Sequence, residues 1–278
     1  MLKPPMPYAG GKQAIASRIV DLMPPHRHYV EPFAGALSVL LAKPPSMIET
    51  VNDLDGDIVA FWRVLRDRPG ELERMCALTP HSRQQYEECR DHVDGEDDLA
   101  KAWRTWVFLT QAIGSRPSRC PGWKRTQGGG RHNLARYLDG YLARIAPAAE
   151  RLRQVSVEHR PALDVIRLLD GPDTLFYCDP PYLATTRLAG IYRHEMGDEA
   201  SHEELLDVLT SCRGKVMLSG YRNGLYDDML ADWRRVDIPT TCMTGQPRTE
   251  SIWTNYQPDN FDGIQNKLFD TATIGDRL

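Results

Sequence analysis

The sequence has no apolar run long enough to cross a bilayer. Its uninterrupted hydrophobic stretches, such as Val39 to Ala42, fall far short of the roughly 20 residues a spanning helix needs. It also has no Cys-x-x-Cys pair. The six cysteines (Cys76, Cys89, Cys120, Cys178, Cys212 and Cys242) stand at wide, irregular intervals with no Cys/His cluster of metal-ligand spacing. That excludes a small disulfide scaffold, gives no metal site, and reads as reduced thiols in a cytoplasm. Cys178, inside the apolar run Leu175-Phe176-Tyr177-Cys178, reads as a buried small hydrophobe rather than a nucleophile. No apolar core or small-residue cleavage site follows Met1-Leu2-Lys3-Pro4-Pro5, so no secretion signal is expected there. His26, His28, His132 and His159 lack partners at ligand spacing and read as surface or packing residues.

What is present suits one large α/β domain or a core domain carrying an insertion: 278 residues, 41% hydrophobic and 26% charged. The net charge of −4 hides a segregation. Between residues 101 and 160 there are 12 Lys and Arg against 3 Asp and Glu, while both flanks are acidic. Clustered cations neutralise phosphates, so a polyanion would bind here; the alternative is a solvated helical face. Inside this block, residues 115–132 are rich in Gly, Pro and Ser, which forbid a regular element. They carry Arg116, Arg119, Lys124, Arg125, Arg131 and Trp123, the equipment of a loop that touches phosphates and bases. A plain surface loop is the competing reading.

Strand and helix signals alternate at the start. Gln13 to Leu22 has helical spacing, His28 to Phe33 reads as a strand turning through glycine into a helix from Leu37 to Ala42, and Ile48 to Leu54 is a strand before a helix at Ile58 to Leu65. This pattern predicts a parallel, doubly wound sheet. From Pro69 to Arg153 the strand signals vanish in favour of helices at Glu71 to Leu78, Ser82 to Val93, Leu99 to Ile113 and Leu134 to Ile145. Strands return at Gln154 to Glu158, Thr174 to Cys178, Val216 to Ser219 and Arg235 to Ile238, with helices at Ala162 to Leu169, Glu203 to Cys212 and Leu225 to Asp232 between them. The expected architecture is one α/β sheet built from 1–67 and 154–278, interrupted by a helical, basic insertion at 68–153.

Three motifs carry chemistry. Asp179-Pro180-Pro181-Tyr182 directly follows an apolar strand, and ligands of open parallel sheets bind beyond strand carboxyl ends. An exocyclic base amine is a poor nucleophile because its lone pair is delocalised into the ring. A carboxylate (Asp179) and a proline-fixed carbonyl (Pro180) aimed at its hydrogens would draw that pair out of conjugation, and Tyr182 offers a face for an extruded base. Glu31-Pro32-Phe33-Ala34-Gly35-Ala36 ends the first strand in a tight turn, and Asp53 lies 18 residues beyond Gly35, placed for the hydroxyls of a ribose. This pair suits a nicotinamide dinucleotide or an adenosyl cofactor, and the absence of G-x-G-x-x-G disfavours the dinucleotide. In Tyr8-Ala9-Gly10-Gly11-Lys12 the glycines allow close backbone approach, Tyr8 could pack on a ligand and Lys12 face its carboxylate. Taken alone, Lys12 reads as a solvated first-turn lysine.

Taken in order, Tyr8 to Lys12, Phe33-Ala34-Gly35, Asn52-Asp53 and Asp179 to Tyr182, with the helical insertion before the last, resemble the Dam-like (D12 class) adenine-N6 DNA methyltransferases. Glu250-Ser251-Ile252-Trp253-Thr254-Asn255-Tyr256 looks like that family's closing strand. The resemblance implies a Rossmann-like methyltransferase sheet with an inserted target-recognition domain, and S-adenosyl-L-methionine as cofactor. It implies methyl transfer to N6 of a flipped adenine in double-stranded DNA, with no metal and no obligate protein partner, in a bacterial or phage-encoded cytoplasmic protein. Family roles fall on Tyr8, Gly10, Gly11, Lys12, Phe33, Gly35, Asp53, Asp164 and Asp179 for the cofactor, and on Asp179, Pro180, Pro181 and Tyr182 for the adenine. The basic loop inherits DNA contact. The sequence departs from the family at Leu37, where a second glycine is usual and a side chain would crowd the methionine end of the cofactor. Cytosine N4 methylation, RNA or protein-glutamine methylation, and a catalytically silent DNA-binding module are the rivals.

Overall fold

The computed structural model describes residues 1–90, 93, 95–115, 122–125, 134–185, 192–241 and 246–258. Among them, strands β1 (His28–Glu31), β2 (Ile48–Asn52), β3 (Val155–Glu158), β4 (Thr174–Cys178), β5 (Lys215–Gly220), β6 (Arg234–Thr241) and β7 (Pro247–Thr254) form one sheet in the order β3-β2-β1-β4-β5-β7-β6. β1 to β5 run parallel, and β7 is antiparallel to both β5 and β6. β4 lies mid-sheet, and all five of its residues are buried, as a parallel strand covered on both faces requires. Cys178 is among them, and burial raises its thiol pKa, in keeping with a packing role.

The helices are α1 (Ala16–Val20), α2 (Ser38–Ala42), α3 (Gly56–Asp67), α4 (Pro69–Leu78), α5 (Arg83–Glu88), α6 (Asp98–Gln111), α7 (Leu134–Leu142), α8 (Ile145–Leu152), α9 (Ala162–Leu169), α10 (Glu199–Thr210) and α11 (Gly224–Met229). Side-chain caps fix several starts: Asp55 accepts from Asp57 N at the head of α3, and Asp97 accepts from Ala100 N at the head of α6. The single helix expected at Leu134 to Ile145 ends at Leu142, and a separate α8 begins at Ile145. The helix expected at Ser82 to Val93 is confined to Arg83–Glu88.

Helices α4 to α8 occupy the expected insertion. α6 packs along α3, and their buried faces, Trp106 and Val107 with Ile58 and Phe61, belong to one hydrophobic cluster. The insertion also grips the N-terminal segment. Trp106 Nε1 donates to the Pro5 carbonyl at 2.9 Å, Arg144 to the Pro4 carbonyl at 3.1 Å, and Ala9 N to the Ser115 carbonyl at 3.1 Å. Residues far along the chain thus hold the strip that leads into Gly10 and Lys12.

Candidate active site

Strands β1 and β4 are neighbours from which the chain departs in opposite directions, to β2 and β3 on one side and to β5 on the other. Their carboxyl ends form the crevice where open α/β sheets bind ligands. The loop after β1 is a tight turn: Gly35 has φ 43°, its N–H donates to Asp53 Oδ2 at 2.9 Å, and its carbonyl accepts from Trp62 Nε1 at 2.8 Å. A Cβ at Gly35 would stand 3.1 Å from the Tyr8 ring, so the aromatic approaches only because the side chain is absent. Asp53 Oδ1 accepts from Asp55 N at 2.9 Å. Burial pushes the Asp53 carboxyl up to about 6, against these two backbone donors.

Leu37 follows in a left-handed conformation (φ 50°, ψ 35°) with its side chain fully buried. That backbone costs a non-glycine residue about 1–2 kcal/mol, and its apolar burial offsets the strain. The side chain joins the main hydrophobic cluster while the residue borders the crevice.

From the N-terminal side, Gly10 (φ 78°) lies so close to Tyr192 that a Cβ would meet the phenol oxygen at 2.2 Å, and that hydroxyl donates to the Ala9 carbonyl at 3.1 Å. Lys12 is not a solvated first-turn lysine. It precedes α1 and is 8% exposed, and its ammonium donates to Asp179 Oδ2 at 2.7 Å and to the Gly10 carbonyl at 2.8 Å, with Glu250 Oε1 at 3.6 Å. Burial opposes this charge, but Asp179 and Glu250 outweigh it and raise the Lys12 pKa.

These segments enclose a cavity of about 270 Å³. Of the residues singled out in the sequence, Tyr8, Gly10, Gly11, Lys12, Phe33, Gly35, Asp53, Asp179 and Pro181 border it. Pro180 and Tyr182 are buried beside it. The Tyr182 hydroxyl lies 2.9 Å from Asp179 Oδ1 and touches Glu250 Oε1, and its ring sits edge-on to Tyr221, 4.8 Å away. Asp164 does not reach the cavity: it is exposed on α9 near Arg167, and Pro161, Ala162 and Leu163 line the wall instead.

Several lining residues were not singled out as site residues. Glu31 accepts from Tyr29 at 2.9 Å, and burial lifts its carboxyl to about 8. Ser38 Oγ is buried without a hydrogen-bond partner among the described residues. Tyr192 and Arg193 return from beyond β4 to cover the cavity, and Arg193 pairs with Asp55 at 3.2 Å and with Asp57. Asp57 in turn pairs with Arg104 of α6 at 3.4 Å. No local pattern marks Tyr192 and Arg193, because each acquires its place from residues distant in sequence.

Of the expected DNA contacts, Arg116, Arg119 and Arg131 lie outside the described residues, as does His132. Arg125 is exposed. Lys124 points inward, donating to Tyr137 Oη at 2.7 Å and to the Thr110 carbonyl at 3.2 Å, and burial lowers its pKa to about 8. Trp123 stacks on His81 at 4.4 Å. Among the described residues no acidic, histidine or cysteine cluster suits a metal ion, and no helix is long and apolar enough to cross a membrane.

Five parallel strands in this order, with an antiparallel edge and a glycine turn at the reversal point, constitute the Rossmann-like fold of methyltransferases. The chain belongs to the D12 class N6 adenine-specific DNA methyltransferase family, which it matches over residues 8–241. It is 26% identical to Modification methylase LlaI of Lactococcus lactis subsp. lactis, over 91% of this chain and 43% of that protein, so it spans less than half of that relative's length. It is 25% identical to DNA adenine methylase of Vibrio cholerae serotype O1, over 77% of this chain and 79% of that protein. Among solved structures, the rRNA methyltransferase aviRa from Streptomyces viridochromogenes aligns at 13% identity and a TM-score of 0.38, covering 91% of this chain and 87% of that one.

Proposed function

We propose that the chain transfers the methyl group of S-adenosyl-L-methionine to N6 of an adenine flipped out of double-stranded DNA. One observation carries the reading: Asp179, paired with Lys12, stands at the wall of a cavity at the carboxyl ends of β1 and β4, in a chain of this family.

The cavity suits the cofactor chemically. Asp53 offers acceptors of the kind ribose hydroxyls need, Tyr8 and Phe33 offer apolar surface, and the buried Ser38 hydroxyl, without a partner among the described residues, is a donor in want of an acceptor. When bound, S-adenosylmethionine supplies an electrophilic methyl on a sulfonium centre. Asp179 Oδ2 is taken by Lys12, which leaves Oδ1, shared with Tyr182, as the oxygen for the target amine. Among the described residues no hydrogen bond engages the Pro180 carbonyl, so it is available as the second acceptor. Two acceptors on the amine hydrogens localise its lone pair, and Asp179 Oδ1 is the acceptor toward which the shed proton moves. Tyr182 and Tyr221 wall this site.

Residues 1–67 with 154–278 form the catalytic part in this reading, and 68–153 the target-recognition part, with the basic residues near 116–131 on DNA phosphates and bases. The protein acts on DNA in a bacterial or phage-infected cytoplasm. Incubation with mixed-sequence duplex DNA and methyl-labelled S-adenosylmethionine, followed by nucleoside analysis, tests the reading. N6-methyladenine is expected; N4-methylcytosine, or no transfer, overturns it. Asp179→Ala should abolish transfer while the protein remains folded.

A further inference from the structure

Among the described residues, the Tyr182 hydroxyl has two carboxylates beside it and one proton to give. Asp179 Oδ1 lies 2.9 Å away, and Glu250 Oε1 is in closer contact still. The Glu250 side chain is 5% exposed, and its Oε1 is 3.6 Å from the Lys12 ammonium, which is committed at 2.7 Å to Asp179 Oδ2. Antiparallel β7 makes this meeting possible. Ser251 pairs with Gly220, the last residue of β5, so Glu250 stands at the carboxyl edge of the parallel strands, level with the crevice.

Two proton arrangements satisfy the group. With Glu250 protonated, its carboxyl donates to Tyr182, and Tyr182 donates to Asp179 Oδ1, so both Asp179 oxygens are engaged. With Glu250 ionised, Tyr182 gives its proton to Glu250, and Asp179 Oδ1 has its accepting capacity for another donor. We infer that Glu250 is a positioning residue that sets the direction of the Tyr182 proton, and through it the strength with which Asp179 Oδ1 accepts from the target amine. The inference rests on the assignment of Asp179 as the group that holds that amine.

The charged and titratable groups facing Glu250 among the described residues are Lys12 from the segment before α1, Tyr177 and Asp179 from β4 and its exit, and Tyr182. Its partner across β6 is Ile238, which carries no charge. Burial lifts the Glu250 carboxyl above the usual carboxylate range, Lys12 works against the lift, and Asp179 adds to it. Methyl transfer therefore rises with pH as Glu250 ionises.

Single-turnover transfer from labelled S-adenosylmethionine to mixed-sequence duplex DNA, followed across pH, tests the inference. The wild-type rate should rise through a step of about tenfold, the worth of one hydrogen bond to a charged acceptor. Glu250→Gln should lose the step, Glu250→Asp should keep one at a displaced pH, and Tyr182→Phe, which lacks the connecting hydroxyl, should lose it. A wild-type profile without the step, or the same step in Glu250→Gln or Tyr182→Phe, overturns the inference. Undiminished turnover in Asp179→Asn would instead remove the assignment beneath it.

Discussion

The Lys12 ammonium lies 2.7 Å from Asp179 Oδ2, joining the segment before α1 to the turn after β4 across 167 positions of sequence. Without that cation, the partly buried Asp179 and the buried Glu250 face each other as carboxylates. Lys12→Met should therefore cost about 3–5 kcal/mol, the usual loss when one partner of a buried pair is removed. Asp179→Asn should cost less, because Glu250 remains 3.6 Å from the ammonium. Denaturant unfolding of both variants measures the ranking, and equal losses would contradict it.

At residue 37, glycine and alanine should exchange their usual order. Both substitutions remove the buried leucine side chain, but only glycine relieves the left-handed backbone at φ 50°. Leu37→Gly should thus be more stable than Leu37→Ala by about 1 kcal/mol, with both below wild type. Thermal unfolding of the pair decides this, and a less stable glycine variant would show that residue 37 carries no backbone strain.

Glu31 ionises in the folded protein only near pH 8, against an ordinary value of 4.5, and Asp53 near 6 against 3.8. Each folded carboxyl keeps a proton that the unfolded chain has given up. The stability they contribute is complete below their ordinary values and is lost as pH rises, through about 6 for Asp53 and about 8 for Glu31. Glu31→Gln should flatten the fall in unfolding free energy between about pH 6, where the Asp53 contribution ends, and pH 8. In the proposed reading the reverse sense holds for ligand binding, since an ionised Asp53 is the stronger acceptor for ribose hydroxyls. S-adenosylhomocysteine affinity, by calorimetry, should rise as pH passes 6 and lose that dependence in Asp53→Asn.

Gly10→Ala introduces a methyl 2.2 Å from the Tyr192 oxygen at a backbone of φ 78°. Tyr192 must leave the Ala9 carbonyl, and the cover over the cavity goes with it. Calorimetry should show S-adenosylhomocysteine binding weakened at least about tenfold, the cost of a displaced contact set of 1–2 kcal/mol. Wild-type affinity would show that the cover plays no part in holding ligand.

Much of the sheet was legible because its signals are local. Thr174–Cys178 is an uninterrupted apolar run, and α9 at Ala162–Leu169 shows clean helical periodicity; both bounds agree with the structure. The break between α7 and α8 was hidden because Leu142 and Ile145 continue one apolar rhythm across it. Part of the cavity was legible for a related reason: Gly35, Asp53 and Asp179 follow the carboxyl ends of β1, β2 and β4, where topology alone puts them together. Its cover was not. Arg193 reads as one more surface cation until Asp55 and Asp57 are seen beneath it, and Glu250 becomes part of the site only because β7 runs backwards along β5. Lys12 reads as a solvated lysine on its own for the same reason, since both of its carboxylate partners, Asp179 and Glu250, come from far along the chain.

The reversed course of β7 has a consequence for synthesis on the ribosome. Lys12, Glu31, Asp53 and Asp179 all emerge before residue 250, yet the ring of contacts around Asp179 closes only when the last strand of the sheet folds in. A nascent chain halted before β7 would expose the edge of β5 and lack the Glu250 contact, so the centre around Asp179 is completed only after β7 has emerged.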